Sequence, residues 1–209
     1  MTQPKKFDRL YYSTGSYQDY LEDYYTSAQS EIETLLKRFP PNANYRFLDV
    51  GCGLGGWVLH LRKLGLQAFG VEVSPFSLNN SLAKKWIIPA SILNIPFQNQ
   101  SFDVVISKQV LYYFSPNNQQ RAAGELTRIT SKWIYFDTIS SGTLNENQEE
   151  NPDSLRNNKF LLSGVDNIKL FESRGFKHMG NVLVGGFETD PAEGLYKSSN
   201  SELLHLTDF

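Results

Sequence analysis

The chain has 209 residues, enough for one domain with a full core. A net charge of −2 gives no general pull towards nucleic acid or an anionic membrane, and the single cysteine, Cys52, excludes an internal disulfide framework. No stretch approaches the roughly 18–20 apolar residues of a membrane-spanning helix, and the start MTQPKKFDRLYYS lacks the apolar centre of a secretion signal, so a cytoplasmic, reducing location is expected.

Taken in order, residues 1–10 read as a loose basic start, followed by a tyrosine-rich run with Tyr11, Tyr12, Tyr17, Tyr20, Tyr24 and Tyr25. Tyr17, Tyr20, Tyr24, Ile32, Leu35 and Leu36 recur at three- and four-residue steps, which predicts an amphipathic helix that ends by Pro40–Pro41. These tyrosines fit two roles: core packing with a polar tip, or an N-terminal helical lid over residues 1–40 that presents aromatic faces to a cationic ligand.

Tyr45–Val50 is a first strand, apolar enough to be buried on both faces. Gly56–Gly65 follows as a helix, then Leu66–Val73 as a strand and Phe76–Lys85 as a helix introduced by Ser74–Pro75. Trp86–Ala90 and Ser101–Ser107 are strands, Asn117–Thr130 a helix and Trp133–Asp137 a fifth strand. Residues 140–160 break the rhythm with a polar, acidic run containing Glu146, Glu149, Glu150 and Asp153, either a solvated loop or a substrate cover. A helix over Val165–Arg174, a strand over Phe176–Val184 and a last strand in SELLHLTDF complete the chain. Alternating strands and helices predict a single α/β domain, a parallel sheet with helices on both faces and a ligand site at the carboxyl ends of the strands.

The stretch RFLDVGCGLGG, Arg46–Gly56, organises this plan. A strand ends in Asp49 and opens into Gly51, Gly53, Gly55 and Gly56, where the backbone can lie directly against a ligand. The spacing Gly51-x-Gly53-x-x-Gly56, with Glu72 about twenty residues on, satisfies the dinucleotide fingerprint and admits a nicotinamide or flavin. Asp49 at the mouth of the loop argues against that, since a carboxylate repels a pyrophosphate and suits a cationic amino group.

FLDVGCGLGG, GVEVSP at the second strand and IPFQNQSFDVVISKQVLYYF around the fourth together resemble the class I S-adenosylmethionine-dependent methyltransferases of the small-molecule type. The resemblance runs over about residues 10–185. It implies a three-layer sandwich with a seven-stranded, mostly parallel sheet in the order 3-2-1-4-5-7-6, the cofactor lying across the ends of strands one to four. It implies that Gly51, Cys52, Gly53 and Gly55 pass beneath the methionine and ribose, with loop N–H groups meeting the carboxylate, and that Asp49 orients the loop and the ammonium end. Glu72 would accept from both ribose hydroxyls, Val73 and Ile92 would pack on adenine, and Lys108 and Gln109 would start the loop beside the methyl group. Tyr12 and Tyr20 would close over the cofactor. Ser91 stands where the family usually has an aspartate for the adenine amino group. Tyr112 and Tyr113 stand where it often has an acid and a histidine.

Methyl transfer is an in-line displacement, so the protein has mainly to align the reactants and exclude water. Tyr112, Tyr113 and Tyr17 are the expected acceptor contacts, and Tyr113 and His178 the candidate catalytic groups. His60 and His205 read as ordinary packed or surface residues. Asp137 ends the fifth strand without the acidic companions of a metal triad, so no metal is expected. The tyrosines and the acidic loop favour a small acceptor, amine-bearing or with an oxygen nucleophile. A protein or RNA acceptor, a binder of the cofactor that transfers nothing, and a nicotinamide oxidoreductase are the competing readings.

Overall fold

A computed structural model describes residues 7–9, 11–13, 20–40, 44–138, 141, 161–180 and 194–199. The helix α1 spans Tyr20–Leu36, and its apolar stripe, Ala28, Ile32 and Leu35, is at most 1% exposed. It stops four residues before Pro40. Tyr17 lies outside the described residues, as does most of the 140–160 run.

The strands are β1 (Arg46–Val50), β2 (Gln67–Glu72), β3 (Ile87–Pro89), β4 (Phe102–Lys108), β5 (Thr130–Asp137), β6 (Phe176–His178) and β7 (Gly194–Ser198). They form one sheet in the order β3-β2-β1-β4-β5-β7-β6, parallel from β1 to β5, with β7 antiparallel to both of its neighbours. The expected three-layer order is therefore present. The helices α2 (Gly56–Lys63), α3 (Pro75–Asn80), α4 (Pro116–Ile129) and α5 (Gly164–Glu172) provide the crossovers, and parallel neighbours require such covering connections. Alternate residues of one strand feed opposite cores. Phe47, Val104 and Ile106 pack with Ile32, Leu35, Trp57 and Leu61 of α1 and α2. Leu48, Val50 and Val105 pack with Ala122, Leu126 and Phe171 of α4 and α5.

Three boundaries depart from the sequence expectation. The helix predicted over Phe76–Lys85 ends at Asn80, because Ser81 turns extended (φ −67°, ψ 135°) and its hydroxyl donates to the Leu54 carbonyl at 2.6 Å. A short 3-10 turn, Lys84–Trp86, follows. The strand β5 begins at Thr130 rather than Trp133, directly after α4: the Thr130 hydroxyl closes the helix by donating to Leu126 O at 2.6 Å while its backbone already pairs with Phe102. The seventh strand is Gly194–Ser198; SELLHLTDF lies outside the described residues. Leu195 and Tyr196 are both buried, so this strand shows no polar–apolar alternation by which to recognise it. Among the described residues no helix is long and apolar enough to cross a membrane.

Candidate cofactor and acceptor site

At the end of β1 the chain turns through Gly51 (φ +76°), Gly53 (φ +52°) and Gly55 (φ +76°), conformations that strain any residue with a side chain. A Cβ on Gly51 would lie 2.6 Å from Val110 Cγ2, so the loop after β4 presses directly on the glycine turn. The loop is held by its own donors. Gly51 N and Cys52 N donate to Val71 O at 2.9 and 3.2 Å, Gly55 N to Cys52 O at 2.8 Å, and Gly53 N to Glu72 Oε2 at 2.8 Å. The Cys52 thiol is turned away beneath β2: a Cβ on Gly70 would come within 2.6 Å of its sulfur. Burial, first of all, pushes that thiol well above its ordinary value. Cys52 thus belongs to the cradle through its backbone and to the core through its side chain.

Glu72 ends β2 and is 6% exposed. Its Oε1 accepts from Val73 N and Ser74 N, both at 2.7 Å, and its Oε2 from Gly53 N. A carboxylate offers about four acceptor positions. Glu72 therefore clamps the glycine loop to the β2 end and retains capacity for one ribose hydroxyl, where two were expected. Val73 beside it is half-buried, as is Ser91 after β3, whose hydroxyl accepts from Leu93 N at 3.2 Å, and Ile92 is 6% exposed.

The N-terminal segment comes to this same end of the sheet. The Tyr12 ring stacks on Phe76 with centroids 5.4 Å apart, and its hydroxyl accepts from Ser77 Oγ at 2.8 Å. Burial, with Glu72 as a lesser cause, holds the phenol protonated. Ser74 Oγ donates to Phe7 O. The segment also meets the turn that follows β4. Tyr11 and Tyr113 share a hydroxyl–hydroxyl bond of 2.8 Å, Tyr112 donates to Tyr113 at 3.3 Å, and the Phe7 ring meets both Tyr11 and Tyr113 edge-on at 5.1 Å. Tyr112 and Tyr113 belong to a 3-10 turn, Leu111–Tyr113, that follows β4. The expected lid and the expected acceptor residues therefore meet through three phenols.

A charged cluster lies on the α1–α2 face of the strand ends. In register, Asp49 of β1 pairs with Ile106 of β4, and Lys108 of β4 with Asp137 of β5. Residues 106 and 108 share a face by the two-residue period of a strand. Lys108 Nζ bonds Glu31 of α1, lies 3.6 Å from Asp137 and sits 5.0 Å from the centre of the Trp57 ring. Gln109, at φ +56°, donates from its backbone to Asp137 O at 2.8 Å and from its side chain to Asp137 Oδ1 at 2.6 Å. Burial raises the Asp49 carboxyl to about 7, against the pull of Lys108 and with Glu72 and Glu31 adding to the rise. Burial likewise raises Asp137, opposed by Lys108 and Gln109. The carboxylates more than offset the desolvation of Lys108, whose ammonium is held above its usual range.

Glu31 escaped the sequence reading, although it lies beside Ile32 on the stripe of Ala28, Ile32 and Leu35, where a carboxylate has no apolar reason to be. Asp137, which read as solitary, is tied to Lys108 and Gln109. His178 does not join the site. It pairs with Tyr196 in β6, at the far edge of the sheet, with β5 and β7 between it and β4. Tyr20 opens α1.

The residues fit the expected cofactor. Among the described residues the carboxyl groups of Asp49, Glu31 and Asp137 outnumber the one ammonium of this cluster, Lys108, a balance that disfavours a pyrophosphate. S-adenosylmethionine carries an ammonium, a sulfonium and one carboxylate, a net cation. Residues 48–133 match the methyltransferase domain family. A sterol 4-C-methyltransferase of Caenorhabditis elegans is 27% identical over 124 residues, 54% of this chain and 36% of that protein. A malonyl-[acyl-carrier protein] O-methyltransferase of Yersinia pestis is 26% identical over 134 residues, 60% of this chain and 49% of the relative. The chain thus spans about half or less of these relatives. The crystal structure of magnesium protoporphyrin IX methyltransferase from Synechocystis, with bound S-adenosylhomocysteine, superposes with a TM-score of 0.62 at 14% identity, covering 89% of this chain and 88% of that one. Over residues 48–133 the chain is thus similar to the methyltransferase domain family, and its sheet has the fold of the solved S-adenosylmethionine-dependent methyltransferases.

Proposed function

We propose that this domain transfers a methyl group to nitrogen or oxygen of a small molecule, without a metal. Bound S-adenosylmethionine supplies a methyl group already activated by a sulfonium. The chain's own residues then have to hold the acceptor in line and keep water out, and orientation of this kind supplies several powers of ten in rate. The observation that carries the reading is a pair of dissimilar clusters built on residues that neighbour Gly51 and Val110 in the chain, where the loop after β4 presses on the glycine turn. One is the carboxylate-rich cluster of Asp49, Glu31 and Asp137 around Lys108. The other is the phenol group of Tyr11, Tyr112 and Tyr113.

Tyr113, half-buried and bonded to two other hydroxyls, orients the acceptor through its phenol, while Phe7 and Tyr11 form an aromatic wall. Aromatic faces attract cationic groups, which favours an amine-bearing acceptor. The sterol and malonyl-[acyl-carrier protein] methyltransferases among the relatives support a metabolite over a nucleic acid. The test is incubation with methyl-labelled S-adenosylmethionine and a metabolite extract, followed by mass spectrometry. A labelled small molecule and stoichiometric S-adenosylhomocysteine are expected. Tight S-adenosylhomocysteine binding with no labelled product in any extract would make the chain a silent binder, and NADH binding in its place would make it an oxidoreductase.

A further inference from the structure

We propose that Glu31 of α1 and Lys108 of β4 form the receptor for the amino-acid end of S-adenosylmethionine, Lys108 meeting its carboxylate and Glu31, with Asp49, its ammonium. The inference rests on the cofactor assignment above and adds to it a residue from the N-terminal helix.

The first argument is where the loop's donors go. A glycine turn usually offers backbone N–H groups to a carboxylate. Here the N–H groups of Gly51, Cys52, Gly53 and Gly55 are bonded to Val71 O, Glu72 Oε2 and Cys52 O. These four donors are thus already engaged, which favours a side-chain donor for a carboxylate arriving here. Lys108 is at hand: it stands on the same face as Asp49, one strand over, with Trp57 of the helix that follows the loop 5.0 Å away.

The second argument is charge balance. Lys108 sits among Glu31, Asp137 and Asp49, so the cluster holds more carboxylates than cations. Separating a partly buried ion pair is costly when it leaves either charge alone. An amino-acid zwitterion avoids this. Inserted between Glu31 and Lys108, its carboxylate replaces Glu31 as partner of Lys108 and its ammonium replaces Lys108 as partner of Glu31. Asp137 continues to hold Lys108 at 3.6 Å, through the same carboxylate that Gln109 fixes from its side chain. No charge is left unpaired.

The third argument is mechanical. Glu31 lies on the buried stripe of α1, between Ala28 and Leu35, both at most 1% exposed. A carboxylate at that height of the helix touches Lys108 only because α1 is docked on the sheet. The N-terminal helix thereby becomes part of the cofactor site, and its docking and occupation by the cofactor's amino-acid end are linked.

The test compares two ligands by calorimetry: S-adenosylhomocysteine, which has the amino-acid end, and 5′-deoxy-5′-methylthioadenosine, which keeps adenosine and thioether and lacks it. Glu31→Gln and Lys108→Met should each weaken S-adenosylhomocysteine by about tenfold or more, the loss expected of one charged hydrogen bond. Neither should change methylthioadenosine binding by more than about twofold. Equal weakening of both ligands would make the pair a mere tether of α1 and overturn the proposal, as would unchanged S-adenosylhomocysteine affinity. Should either variant fail to fold, the unmutated protein decides: analogues lacking the carboxylate alone or the ammonium alone should each bind about tenfold more weakly than S-adenosylhomocysteine. Equal affinities overturn the proposal. A wild-type protein that binds none of these ligands refutes the cofactor assignment itself.

Discussion

Asp49→Asn separates what Asp49 does for the fold from what it does for the ligand. Burial, the largest cause, raises its carboxyl from the usual 3.8 to about 7. Between these values the folded chain keeps a proton that the unfolded chain has released, so stability falls as pH rises through this window and the full cost is present above it. At ~1.36 kcal/mol per unit, Asp49 costs about 4 kcal/mol at pH 8, where it is ionised, and roughly 1–2 kcal/mol at pH 5, where the folded chain keeps it protonated. Asparagine keeps the shape and stays neutral, while Lys108 keeps Glu31 and Asp137 as partners. The ligand-free variant should therefore melt above wild type, and its advantage should grow by about 2–3 kcal/mol, or roughly 5–10 °C, between pH 5 and pH 8. Paired thermal melts across that range measure it. S-adenosylhomocysteine affinity should fall in the same variant, because the ammonium loses its carboxylate. A variant whose advantage over wild type is the same at both pH values, or that is less stable at pH 8, refutes the assignment of a buried, proton-holding Asp49.

For wild type, S-adenosylhomocysteine binding should weaken by up to about tenfold per pH unit below 7, with proton release on binding, since the ammonium requires the ionised Asp49; calorimetry in buffers of different ionisation enthalpy measures both. Gly51→Ala meets a positive φ and the Val110 side chain at 2.6 Å, so it should cost about 1–3 kcal/mol in denaturant melts and weaken S-adenosylhomocysteine and methylthioadenosine alike. Arg128 donates to Ile95 O at 3.0 Å and Phe97 O at 2.7 Å and pairs with Glu125, fixing the segment that follows Ile92; Arg128→Ala should lower stability by roughly 1–3 kcal/mol and weaken methylthioadenosine binding. Ile32→Ala empties a fully buried position on α1 and should cost about 2–5 kcal/mol, read from urea midpoints.

Much of the cofactor half was legible from local pattern. Arg46–Val50 is apolar where a central strand must be, and the turn after it needs a positive φ at Gly51, Gly53 and Gly55, which only glycine adopts freely. Ser74 caps α3 by accepting from Ser77 N at 3.1 Å, as its place before Pro75 suggests. What local pattern missed has a common cause. Gly194–Ser198 is buried on both faces, so it lacks alternation, and its partner strands lie far away in the chain. His178 looked available because its distance from the cradle depends on how many strands intervene.

The strand–helix alternation, the glycine cradle and the carboxylates at the ends of β1 and β2 are each written in adjacent residues. What those groups touch depends on the folded chain. Glu72 clamps the loop because Gly53 N folds back on it at 2.8 Å. Lys108 meets Glu31 across 77 positions of sequence, and Tyr113 meets Tyr11 across 102. Such pairings arise when packing brings distant elements to one edge of a sheet, and no local periodicity encodes them.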